Sequence, residues 1–421
     1  MDFRTIIRKG DVVAWPQGPG EPLGLTGRLV AQRHELPRAG IFIGLSASET
    51  LSPAHADSFT LRGLNGAGTN RRLTAANVLD IIPAHVSSIA ALIAADKVPI
   101  DIALLRVRPH PTPGYFTVGV MCDYTQAMVK AARVVVAELD MRLPVTSQDA
   151  LLPQSAIDIL VDADGAEISM PDPLPSASDR SIANHVAGLI PDRATVQLGI
   201  GGLPAAVAAA LVGHKDLGIH SGVISDAVAD LIEKGVVTNA CKGLDAGCTV
   251  TGGLFGTRRL FDFADGNPAI HMRALSHTHN VAVMAQVNRL HSVNSAIEID
   301  LSGQVNAESA AGRYLGAVGG QADFVRGAQA SEGGRSIIAM SAVTPDGKQS
   351  RIVTSLGRGP VTTARADVDT VVTEFGVAEL RGASLTERKR KLIAIAHPDH
   401  RESLDRPAGE TKSPAVAGVS R

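Results

Sequence analysis

Short runs of apolar and β-branched residues alternate along the chain with Ala-rich segments whose apolar positions recur at helical spacing. IALLRV (102–107), ARVVVAEL (132–139), NVAVMA (280–285) and VDTVVTEF (368–375) read as strands. AANVLDIIPAHVSSIAALIAA (75–95) and SDAVADLIEKG (225–235) read as helices. Such alternation predicts an α/β fold with mainly parallel sheets.

A weak echo divides the pattern in two. VVAWPQGPGEPLGLTGRLV (12–30) and TVQLGIGGLPAAVAAALV (195–212) each run from apolar strand through a glycine-rich turn and a proline into a helical segment. Between them, PDPLPSASDRS (171–181) is rich in Pro and Ser, as a connection would be. The expected organisation is two similar open α/β domains, 1–180 and 181–403. The tail, 404–421, is polar and aperiodic, and is expected to be flexible.

Composition narrows the class. With 45% hydrophobic and 19% charged residues the chain reads as globular, and with only 3% aromatics its core must be aliphatic. A net charge of −2, with the cations scattered, offers no footprint for nucleic acid. Nothing approaches the ~20 apolar residues of a membrane span. No signal peptide opens the sequence, and the three cysteines have no paired spacing, so a cytoplasmic protein with reduced thiols is expected.

The candidate chemistry lies in glycines. Gly199, Gly201 and Gly202 follow a predicted strand and precede a helix, where backbone N–H groups can meet an anion or a carbonyl. Gly319 and Gly320 do the same before QADFVRGAQAS. Amides at two such turns could hold the oxyanion of an attacked ester or thioester. Neither turn matches a dinucleotide fingerprint or a phosphate-binding loop. His271, His277, His279 and His291 cluster in sequence, but their spacing matches no common zinc pattern, so no metal is expected.

Several separated segments carry a family resemblance: PTPGYFTVGVMCDYTQAMVKAARVVVAELD (111–140), QLGIGGLPAAVAAAL (197–211), GLFGTRRLFDF (253–263), NSAIEIDLSGQVNAES (294–309), GGQADFVRGA (319–328) and GPVTTARADVDTVVTEFGVAELRGASLTERKRKLIAIAHPDHRE (359–402). Together they resemble the acetyl-CoA hydrolase/transferase family, with its 4-hydroxybutyrate and acetate CoA-transferases. The resemblance implies two CoA-transferase-type domains with the site at their interface. It implies an acyl-CoA thioester and a small carboxylate as substrates, no resident cofactor, and a homo-oligomer. In the family a glutamate attacks the thioester and passes through an acyl-glutamyl anhydride to a glutamyl-CoA thioester.

Here LGIHSGVISDAVADLI (217–232) places Ser221 on the family's Ser/Thr and Gly222 on its glutamate. The implied site is Gly320 as oxyanion amide, Gly222 at the vacated nucleophile position, and Gly199, Gly201, Gly202, Ser221, Asn280, Gly319 and Gln321 around the substrate. Asp226, Glu298, Asp300 and Glu374 are the carboxylates available as replacements. Two outcomes stay open: an enzyme that transfers CoA or hydrolyses acyl-CoA without the glutamate, or a silent acyl-CoA-binding protein that keeps the pocket.

Overall fold

The computed structural model describes residues 1–406. It contains two separate large sheets. The first, in the order Leu79–Ile81, Phe59–Gly63, Ala39–Ile43, Val12–Ala14, Ile102–Pro109, Val134–Leu139, Ile159–Asp162, is parallel throughout. An antiparallel flap, Tyr115–Thr117 with Leu151–Pro153, grows from the end of Ile102–Pro109. The second sheet runs Gly218–Ile219, Thr195–Gln197, Leu290–Asn294, Arg335–Ala339, Thr370–Thr373 in parallel, and closes with antiparallel Gly376–Glu379. The α/β reading with mainly parallel sheets therefore holds.

Both echoed segments fold alike. Val12–Ala14 leads through glycines to the helix Leu23–Ala31, and Thr195–Gln197 leads through glycines to Gly202–Ala210. The helix Ala177–Ala187 starts from a Ser176–Asp179 capping box and packs beside Gly202–Ala210.

Two stretches differ from the sequence reading. NVAVMA is a helix, Val281–Met284, not a strand: the Asn280 side chain accepts the Ala282 N–H and starts a turn that buries Met284. In AANVLDIIPAHVSSIAALIAA the piece Leu79–Ile81 pairs as an edge strand, and helix resumes only at Ile89–Ala94. Pro83 separates the two. The helix Pro398–Asp405 also runs past 403, with Leu404 buried; the rest of the expected tail, from 407, lies outside the described residues.

The halves meet over an apolar seam. One continuous core joins Leu105, Val120 and Met121 of the first half to Val196, Leu254 and Phe255 of the second. Glycines make the approach close: a Cβ on Gly18 of the first half would stand 2.5 Å from Phe255 Cε1 of the second. Backbone bridges Met121–Gly253 and Asn65–Ala317 cross the same seam. Among the described residues no helix is long and apolar enough to cross a membrane.

Candidate functional site

The strand Gly218–Ile219 delivers His220, Ser221 and Gly222 to the seam. Ser221 Oγ donates to the Leu198 carbonyl at 2.8 Å, which ties the stretch to the start of the first glycine turn. Gly222 accepts from Gly252 N–H at 3.0 Å, and Gly252 accepts from Cys122 N–H of the first half at 3.0 Å. From the other side, Gly319 accepts from Val86 N–H at 3.0 Å, while Ser87 N–H and Oγ both donate to Asp323. Gly319 sits at φ +60°, which favours glycine, and Gly320 then caps the helix Gln321–Ala330. The first amides of that helix have no intrahelical acceptor, so the turn presents donors.

Between Gly222 and Gly320 stands the ring of His279. A Cβ on Gly222 would lie 2.6 Å from His279 Cε1 and 2.9 Å from Nε2; one on Gly320 would lie 2.5 Å from Nε2 and 2.6 Å from Cδ2. Both distances are far inside van der Waals contact, so the two glycines are what admits the imidazole. The ring is fixed by Thr278 Oγ1, 2.9 Å from Nδ1, and by an edge-on Phe324, 4.7 Å between centroids. It is only 6% exposed, and its one hydrogen bond among the described residues is at Nδ1. Burial alone pushes its pKa down to about 3, so it is neutral at pH 7. His220 is held down to about 3 as well, by burial and then by Lys242. Its Nε2 donates to the Thr278 carbonyl at 3.1 Å and supports the residue beside His279.

The other expected residues fall in different places. Gly199 is adjacent to Leu198 and hence to Ser221. Gly202 packs against the stretch 173–179: a Cβ there would stand 3.5 Å from Asp179 Oδ2 and 3.7 Å from the Leu174 carbonyl oxygen. Gln321 is buried and already bonded, donating to the Ser295 carbonyl at 2.8 Å and accepting from Thr363. Asn280 is an exposed helix cap, and the residue between Gly222 and Gly320 is its neighbour His279.

Each of the alternative carboxylates accepts at least one hydrogen bond. Asp226 accepts from Thr257 N–H and Oγ1, Glu298 from Asn306, Asp300 from Ser302 and Gln304, and Glu374 from Ala342 N–H. Of the remaining histidines, His277 pairs with Asp245 at 2.8 Å and His291 Nδ1 donates to the Arg289 carbonyl. Half-buried His271 has its pKa lowered, mainly by burial. Among the described residues no three His, Cys, Asp or Glu side chains converge on a metal position.

Residues 2–169 match the N-terminal domain of acetyl-CoA hydrolase/transferase, and residues 256–408 match its C-terminal domain. The 4-hydroxybutyrate coenzyme A transferase of Clostridium kluyveri is 37% identical over 93% of this chain and 92% of its own. The crystal structure of RipA from Yersinia pestis superposes with a TM-score of 0.89 at 31% identity, over 96% of this chain and 98% of that one. That of 4-hydroxybutyrate CoA-transferase from Porphyromonas gingivalis gives 0.81 at 33%, over 95% and 93%.

Proposed function

The chain belongs to the acetyl-CoA hydrolase/transferase family, and from that premise we propose that it cleaves small acyl-CoA thioesters by direct attack of water, without a covalent glutamyl intermediate. The observation that carries this reading is the gap itself. Gly222 offers no carboxylate, and Asp226, Glu298, Asp300 and Glu374 each accept hydrogen bonds from other parts of the chain. In this reading the amides of the Gly319–Gly320 turn, at the start of the helix Gln321–Ala330, are the donors for the charge that develops on an attacked carbonyl oxygen.

Transfer within a ternary complex is the second reading, favoured by the Clostridium kluyveri relative, which is named a transferase and is matched over 92% of its length. Here the acceptor carboxylate would take the place of water, again with no enzyme-bound acyl group. Release of free CoA from acetyl-, propionyl- and butyryl-CoA, with and without acetate or succinate, separates the two. CoA released without an acceptor supports hydrolysis, and strict dependence on the acceptor supports direct transfer. Hydroxylamine or borohydride trapping of an adduct on residues 217–232 would refute both.

A further inference from the structure

We propose that His279 is the catalytic base of this site: its imidazole fills the volume left by Gly222 and Gly320, and its bare Nε2 draws the proton from the attacking water. The inference rests on the thioester-cleaving function proposed above and adds the residue that performs it.

The argument starts from volume. Side chains at 222 and 279 cannot both occupy the gap, since a Cβ at 222 already overlaps Cε1 and Nε2. The position opposite, 320, is closed to a side chain by the same ring. So the two small residues and the one large one form a matched set, assembled from three distant stretches of sequence. A core position filled only for packing would be served by an apolar side chain. Here Nε2 carries no hydrogen bond among the described residues and lies against Gly320, where a Cβ would stand 2.5 Å from it.

The base requires the tautomer with the proton on Nδ1, which Thr278 can support. Its hydroxyl lies 3.4 Å from the Ala274 carbonyl, which can only accept, and 2.9 Å from His279 Nδ1. A hydroxyl that gives its proton to the carbonyl accepts from Nδ1–H, and Nε2 keeps its lone pair. Phe324 packs edge-on against the ring, 4.7 Å between centroids.

The step balances with water as the only co-reactant. The water oxygen bonds to the thioester carbonyl carbon while Nε2 takes one water proton. The carbonyl oxygen carries the charge against the Gly320 amide. The C–S bond then breaks, its electron pair leaves on the CoA sulfur, and the proton passes from Nε2 to that sulfur. One thioester and one water give one carboxylic acid and one free thiol.

The test uses the full chain with acetyl-CoA and butyryl-CoA. H279A and H279Q are checked for folding, then assayed for CoA release. We expect kcat to fall by about 100-fold or more with KM within about threefold, as for loss of a group acting only in the transition state. Added imidazole should restore part of the H279A rate in proportion to its free-base fraction and should not help H279Q, whose side chain still fills the site. A purely structural ring would show no such dependence. An active wild type matched by H279A overturns the inference alone, as does loss of kcat without any imidazole rescue. A wild type that releases no CoA under any acceptor condition overturns the functional reading beneath it.

Discussion

Replacing Gly222 with alanine asks whether the His279 ring is clamped, and the answer is the sign of a stability change. The backbone at Gly222 is not in the left-handed region, so alanine meets no φ penalty there. By itself such a change stabilises by about 0.4–1 kcal/mol, because the unfolded chain loses freedom. Against this stands the new Cβ, 2.6 Å from His279 Cε1, where carbon atoms prefer about 3.5–4 Å. The ring cannot yield by sliding, since Gly320 closes the other side and Thr278 and Phe324 hold its edge and face. Overpacking of this kind costs about 1–3 kcal/mol, so G222A should be destabilised by a net ~1–2 kcal/mol. With the ring removed in H279A, the same alanine should be neutral or stabilising. Urea unfolding of wild type, both single variants and the double variant gives the coupling directly, expected at about 2 kcal/mol. If G222A is more stable than its parent while His279 is present, or if the two changes simply add, the gap is not filled as described.

Acid should separate His279 from the rest of the molecule. Its folded pKa of about 3 lies below its unfolded value of 6.5, so the stability it permits is complete above 6.5 and is lost as pH falls from there toward 3. Asp123 and Glu138, both raised to about 7 mainly by burial, act in the opposite direction over the same range, so the prediction concerns a difference. Between about pH 7.5 and 5.5, wild type should lose ~1.4 kcal/mol relative to H279Q, and urea melts showing a constant difference would contradict this. At the seam, Met121→Ala removes a fully buried side chain and should cost about 2–5 kcal/mol while leaving a single unfolding transition, read by far-UV and near-UV circular dichroism together. Two separated transitions would show that the halves are independent.

Much of the fold was legible because period and composition agree. IALLRV and ARVVVAEL became the paired strands Ile102–Pro109 and Val134–Leu139, and SDAVADLIEKG became the helix Asp226–Glu233. NVAVMA misled because four apolar residues fit either period, and the cap supplied by Asn280 decides the matter locally. In the site, Gly222, Ser221 and Gly320 could be singled out from motifs. His279 could not, since its role depends on a ring crossing from one loop to two glycines distant in sequence. The pattern pointed to Asn280; in the structure Asn280 is an exposed helix cap and its predecessor His279 is buried. Gly201 and Gly202 also read as ligand amides from the sequence; in the structure Asp179 stands beside Gly202.

The apolar seam has a consequence during synthesis. Residues of the first half, Met121 and Cys122 among them, are buried partly against Leu254, Phe255 and the strands of the second sheet. While the ribosome is still making that second half, this face has nothing to lie against. At roughly 5–20 residues per second, the remaining ~240 residues take on the order of 10–50 s to appear. Over that interval the nascent first half carries an exposed greasy surface and the open edge of its sheet, both prone to aggregation. A coding change that slows translation between residues 170 and 290 lengthens the exposure, and should lower the soluble yield of an unaltered protein.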